Sequence, residues 1–351
     1  MRRVSGVFDK SYVQDMMIFR TKYYVGGIIL LFLFFMIFPL FGSDFWLAFI
    51  STTAVTVIAL QGLNILSGYC GQISIGHTAF MAVGAYTSTI LAAQFGLPFW
   101  ICMPIGGFGA GVVGLLFGLP SLRVKGYYLA LTTIAAQYLI IYMIKTPFPE
   151  ITGGAIALNV PEVTLGGFTL TTETHFYYLI MFMLIIMTFI AKSLMRGHYG
   201  RSFIAIRDND IAAEAMGISL YKYKLLAFFM GCFYAGIAGS VWAAYARVIS
   251  PDDFTLMNSI WYMGMMIIGG LGSTLGPFFG AIFIGLLREI CVVCVPWITS
   301  IIPQLCAQIS ASLVEMTFGI TIILFLVFEP RGISHRWEIL KESYRLWPFS
   351  Y

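Results

Sequence analysis

The sequence is short of charge. Asp, Glu, Lys and Arg make up 10% of its 351 residues, against roughly 25% in an ordinary soluble domain, and so few cannot cover a water-facing surface. Histidine is scarcer: His77, His175, His198 and His335 lie far apart, so a metal site is not expected. Cys70, Cys102, Cys232 and Cys306 stand alone, and Cys291 and Cys294 form a CxxC with no second pair beside it. Two thiols on one helical face account for that spacing better than a redox or zinc site. The stretch 272–276 lacks the spacing and the lysine of a phosphate-cradling GxxxxGK[ST] loop, and neither HExxH nor GxSxG occurs. Basic residues are not interleaved with aromatics as nucleic-acid binding requires. No enzyme, cofactor or nucleic-acid partner is expected.

What the chain has is apolar length. Hydrophobic residues account for 59% of it, and runs such as 28–38 and 180–190 carry no charge. Repeated runs of this kind read as an all-α, polytopic membrane helix bundle. Basic residues precede the first run and no small-residue cleavage site follows Phe38, so a retained first span is expected rather than a removed signal. Lysine and arginine gather in four segments: Arg2, Arg3, Lys10, Arg20 and Lys22; Arg123 and Lys125; Lys192, Arg196, Arg201, Arg207, Lys222 and Lys224; Arg331, Arg336, Lys341 and Arg345. With these segments cytoplasmic, the positive-inside bias places both termini inside and makes the span count even. Ten spans fit, near 24–41, 45–66, 73–93, 98–119, 127–145, 175–191, 225–247, 257–270, 276–294 and 310–328. Asp44, Glu150, Glu162, Glu173, Asp252 and Asp253 then fall outside. The division that follows is an N-terminal cytoplasmic segment (1–23), a transmembrane domain (24–328) and a C-terminal tail (329–351). The external loop 146–174 alternates Val163, Leu165, Phe168 and Leu170, a hairpin pattern. It suits either a meeting with an extracellular delivery protein or simple connection.

Two stretches interrupt the spans. SGYCGQISIG (67–76) and GGLGSTLGP (269–277) are glycine-rich and uncharged. Irregular backbone at membrane depth must be packed in protein or line a wet cavity, while close helix packing through small residues is the plainer reading. Gly68, Gly71, Gly76 and Gly84 are echoed by Gly269, Gly272, Gly276 and Gly285, at separations of 3, 5, 8 and 3, 4, 9. An internal repeat would produce this echo. Gln61, Asn64, Gln72, Ser74, His77 and Thr78 cluster at the first break as candidates for a translocation pathway, each able instead to satisfy a neighbouring backbone group. Arg288, Glu289 and Glu315 are the deep charges, read as an intramembrane ion pair rather than a proton relay.

The longest polar interval, RSFIAIRDNDIAAEAMGISLYKYK (201–224), lies within a cytoplasmic loop 192–224 flanked by apolar spans. Asp208, Asn209 and Asp210 suit the N-cap of a short helix starting near Ile211, and Gly217 suits its end. Ile211, Ala212, Ala215 and Met216 would offer a small apolar side, with Arg207 and Glu214 as rim charges. The acids at 208, 210 and 214 fit an anionic lipid surface poorly, which favours a protein partner over membrane lipid.

Several blocks together resemble a known family: GLNILSGYCGQISIGHTAFMAVGAYTS (62–88), LRVKGYYLAL (122–131), TGG (152–154), GRSFIAIRDNDIAAEAMGISLYKYKLLAFFMGCFYAGIAGS (200–240) and MIIGGLGSTLGPFFGAI (266–282). In order, over about 45–330, they are similar to the branched-chain amino-acid permeases of ABC transporters, specifically the M-type subunits of Liv-type importers. The resemblance implies a bacterial inner-membrane heterodimer with a second, homologous permease, two cytoplasmic ATPase subunits and a periplasmic substrate-binding protein. It implies that 211–217 is the loop helix that engages an ATPase, in a looser form than the EAA loop of other importers. Sister permeases for urea or short amides share the build. An ion-coupled secondary carrier, or a channel or scaffold without an ATPase, remains as an alternative from another class.

Overall fold

A computed structural model describes Gly26 and residues 35–122, 126–147, 149–154, 156–165, 168–301 and 307–346. The N-terminal segment 1–23, most of the expected first span, and Arg123 and Lys125 lie outside the described residues. The described chain is a helix bundle whose order begins α1 (Asp44–Leu63), α2 (His77–Phe95), α3 (Phe99–Gly118), α4 (Tyr127–Lys145) and α5 (Glu173–Arg196). There follow α6 (His198–Asp208), α7 (Asp210–Ala215), α8 (Leu220–Ala246), α9 (Leu256–Gly269), α10 (Gly276–Ile301), α11 (Ala307–Phe328) and α12 (Ile333–Leu346).

Each expected span from 45 onward coincides with one of these helices, but not all of them have the length and hydropathy to cross a bilayer unaided. Among the described residues six do so, or seven if the bent pair Val314–Phe328 and Ile333–Ser343 is one span. The expected count of ten is not confirmed: its first span lies mostly outside the described residues, and α2 and α9 fall short for physical reasons. At 14 residues, α9 reaches about 21 Å at 1.5 Å per residue, short of the roughly 30 Å hydrocarbon core. Polar residues interrupt α2, among them His77, Thr78, Ser88 and Thr89, all buried inside the bundle.

Packing is organised around α8, which lies against α1, α2 and α3. Its small residues let neighbouring backbones approach closely, the usual basis of helix association in lipid. A Cβ on Gly84 of α2 would come within 2.2 Å of the Gly236 carbonyl oxygen, and one on Gly239 within 2.0 Å of the Met81 carbonyl oxygen. Outward faces carry apolar side chains instead, including Phe108, Leu139, Phe182 and Phe189.

One end of the bundle gathers the acidic loops. The strand Leu158–Asn159 pairs antiparallel with Val248–Ile249, Lys145 Nζ lies 2.6 Å from Asp252 Oδ1, and Tyr245 donates to Glu173 at 3.1 Å. Within this loop Thr164–Leu165 pairs with Phe168–Thr169, the hairpin that the alternation of apolar residues predicts. The tail also has structure: α12 packs on α9 and α10, with Trp337 against Phe279.

The close approach at Gly84 makes a simple prediction. Gly84→Ala should lower detergent stability by ~1–3 kcal/mol, the usual scale for overpacking, whereas Gly319→Ala, with nothing within 4 Å, should leave it unchanged. Thermal unfolding of the two purified variants checks this.

Candidate functional site

The first break begins where α1 loosens into a π-helical turn, Asn64–Tyr69. Beyond this turn the backbone leaves helix altogether, and side chains supply partners to groups that a helix would have paired. Ser67 Oγ donates to the Gln72 carbonyl at 3.0 Å, and Thr133 Oγ1 of α4 accepts from Ile75 N at 3.0 Å. The backbone turns at Gly71, whose φ of 73° lies in the left-handed region that glycine enters without steric cost. The second break turns likewise at Gly272, φ 77°.

Asn64 ties the breaks together. Its Oδ1 accepts from Gly272 N at 2.9 Å and its Nδ2 donates to the Ser273 carbonyl at 2.7 Å. A third strand of the junction comes from the loop. Arg207, at the end of α6, donates from Nη1 to the Gly68 carbonyl at 3.0 Å and from Nε to Asp208 Oδ1 at 3.0 Å. Arg207 is therefore turned toward the breaks, where the sequence predicts only a rim charge.

The candidate pathway residues are all buried, but they divide by their bonding. Asn64 uses its amide to join the breaks. Thr78 Oγ1 lies 2.6 Å from Ser259 Oγ and 3.0 Å from the Thr255 carbonyl, so the start of α2 is held against the start of α9. Gln137, which the sequence reading passed over, completes that joint: its Oε1 accepts from Ala79 N at 3.0 Å and its Nε2 donates to the Phe254 carbonyl at 2.6 Å. The other four retain bonding capacity. His77 Nε2 donates to the Ala59 carbonyl at 2.9 Å, leaving Nδ1 as a buried acceptor without a partner. Gln61 Nε2 donates to Thr188 Oγ1 at 2.6 Å while its Oε1 is unpartnered, as are both amide atoms of Gln72 and the hydroxyl of Ser74.

The loop helix α7 has the predicted caps. Asn209 Oδ1 accepts from Ala212 N at 3.1 Å, and Gly217 takes φ 84° as Ile218 N donates back to the Ala213 carbonyl at 3.0 Å. Only Ala213 of this helix is buried. Ile211 and Met216 are 74% and 83% exposed, and Ala212, Glu214 and Ala215 are exposed beside them. Asp210 lies 3.7 Å from Lys224 Nζ, fastening the helix to α8. Phe203, fully buried, and His198, whose Nε2 lies 2.7 Å from Tyr223 Oη, fasten α6 likewise. The deep charges are not brought together in this way: Arg288 and Glu315 are exposed, and among the described residues no ion pair joins either of them to Glu289 or to the other.

These features lie inside the stretch that known proteins match. Residues 44–326 match the family model described as branched-chain amino acid transport system / permease component. The chain belongs to that family. It is 31% identical over 262 residues to the high-affinity branched-chain amino acid transport system permease protein LivM of Escherichia coli (strain K12), an alignment covering 68% of this chain and 61% of the relative. A probable LivM of Methanocaldococcus jannaschii is 24% identical over 226 residues, 63% of this chain and 64% of the relative. The Escherichia coli (strain K12) permease protein LivH is 23% identical over 312 residues, 83% of this chain and 94% of the relative. The chain thus spans about three fifths of the length of the LivM relatives it matches. No solved structure matches it.

Removing the bridge between the breaks should be costly. Asn64→Leu strands Gly272 N and the Ser273 carbonyl, at ~1–3 kcal/mol for each buried orphan. A fall of several degrees in detergent unfolding temperature, exceeding that of Gln72→Leu, is the expected result.

Proposed function

We propose that this chain is the transmembrane permease subunit of an ATP-driven importer of branched-chain amino acids in a bacterial inner membrane, with both termini cytoplasmic. The observation that carries the reading is the family match over 44–326. It is supported by relatives named as permeases of branched-chain amino acid transport systems. Its pairing with a second, homologous permease is supported by its likeness to both LivM and LivH proteins. Two ATPase subunits on the cytoplasmic side and a periplasmic binding protein on the acidic side complete the assembly. Hydrolysis belongs to the ATPases, and this chain supplies the path and the coupling.

The exposed apolar residues Ile211 and Met216 suit α7 to an apolar groove on an ATPase, with Glu214 as a rim charge. Six residues of helix can serve for this, because Asn209 caps its start and the Asp210–Lys224 pair ties it to α8. Unfilled bonding capacity makes Gln61, Gln72, Ser74 and His77 the better candidates for the translocation path. A zwitterion can be handed between neutral dipoles without the tight hold that a full charge would impose. The left-handed glycines at matching places, Gly71 and Gly272, support the internal repeat.

Uptake by the complete assembly should require ATP and the binding protein, and should persist when the proton gradient is collapsed. Ile211→Asp should strip ATPase subunits from the purified complex, because a carboxylate cannot enter an apolar groove without loss of hydration. Uptake by this chain alone, driven by an ion gradient, would reject the proposal.

A further inference from the structure

The exposed loop helix and the buried breaks are connected through one side chain. Arg207 leaves the last turn of α6 and lays its stem over Gly71, where a Cβ would stand 2.9 Å from Arg207 Cγ. Its Nη1 reaches the Gly68 carbonyl of the first break. The same Nη1 would be 2.8 Å from a Cβ on Gly272 of the second break, so the guanidinium sits at the seam of both. The seam is closed behind it by Asn64. The Gly68 carbonyl stands at the end of the helix that α1 continues, where unpaired carbonyls collect and a positive charge is favoured.

Arginine suits this place for reasons that lysine does not share. Its planar fork sends one N–H to Gly68 and another to Asp208 at fixed directions. Asp208 is 62% exposed and holds the guanidinium from the loop side. A single residue, Asn209, separates the end of α6 from the start of α7. With so short a link, displacement of α7 bears directly on Arg207 and its bond to Gly68.

We propose that Arg207 is a positioning residue that latches the loop to both glycine-rich breaks, so that motion imposed on α7 is passed to the breaks rather than absorbed in the loop. This rests on the importer reading and adds that Arg207 is the internal link, whereas Ile211 and Met216 form the external face. A docking role and a latch role make opposite predictions for the same residue. Without the latch, ATPase subunits still bind and turn over, but their motion no longer reaches the path.

The test uses the whole complex, co-expressed with its partner permease, ATPases and binding protein, and compares wild type, Arg207→Ala, Arg207→Lys and Ile211→Asp. Three quantities are read: ATPase subunits retained on purification, ATP hydrolysed, and substrate taken up in proteoliposomes. For Arg207→Ala we expect ATPase retention within about twofold of wild type. ATP consumed per substrate should rise about tenfold or more, the scale of losing a charge-assisted hydrogen bond. Arg207→Lys keeps the charge and stem but loses the fork, and should fall between the two; it also reports on the latch if the alanine variant fails to fold. Ile211→Asp should instead lose the ATPase. An unchanged ratio of ATP to substrate in Arg207→Ala and Arg207→Lys would overturn the latch, and so would loss of the ATPase from both. Wild type that retains no ATPase would overturn the importer reading, and the latch with it.

Discussion

Backbone amides and carbonyls inside a membrane have no water to bond with, so each must find a partner within the protein. The same need for internal partners is met at the two glycine-rich breaks. The breaks at 67–76 and 269–277 persist because side chains from elsewhere supply the missing bonds. Asn64 serves Gly272 and Ser273, Thr133 serves Ile75, and Arg207 serves Gly68. Each of these bonds crosses between elements, so the breaks cannot form independently of the helices around them. The irregular backbone of both breaks is thereby gathered into a joint at which three parts of the chain meet.

The rest of the bundle is arranged to hold that joint. Close glycine contacts such as Gly84 with Gly236 bring α2 hard against α8, and α8 in turn carries Lys224 and Tyr223, which fasten α7 and α6. The polar joint of Thr78, Gln137 and Ser259 fixes the starts of α2 and α9. Rigid packing on one side and a bonded seam on the other leave the loop helix projecting from a well-supported base. A partner pressing on α7 would therefore act on a connected body rather than on a slack linker.

Features that depend on near neighbours were legible in the sequence, and features that depend on distant ones were not. Long apolar runs marked the helices, and Asn209 and Gly217 marked the ends of α7, because a cap bonds only two to five residues away. Glycine clusters marked both breaks. The role of Arg207 was hidden, since its acceptor Gly68 is 139 residues distant and nothing beside Arg207 announces it. Gln137 and Ser259 were missed for the same reason, although a lone amide within the apolar run of α4 was a signal that could have been read. The six polar residues of the first break carried two readings, a path or a partner for nearby backbone, and their bonding divides them: Asn64 and Thr78 are bonded into the frame, whereas the side-chain polar atoms of Gln72 and Ser74 have no partner among the described residues. The count of ten spans is not confirmed: the first lies mostly outside the described residues, and hydropathy does not distinguish a full crossing from a short helix such as α9.

The central claim is that the loop and the breaks move as one body. Spin labels at Ile211 and Leu275, both exposed, would report their separation in the assembled complex with and without trapped nucleotide. A third label at Phe95, exposed at the acidic end, would report motion against the rest of the bundle. The account predicts an unchanged distance from Ile211 to Leu275 while both distances to Phe95 shift. A changing distance from Ile211 to Leu275, with Leu275 fixed relative to Phe95, would contradict it.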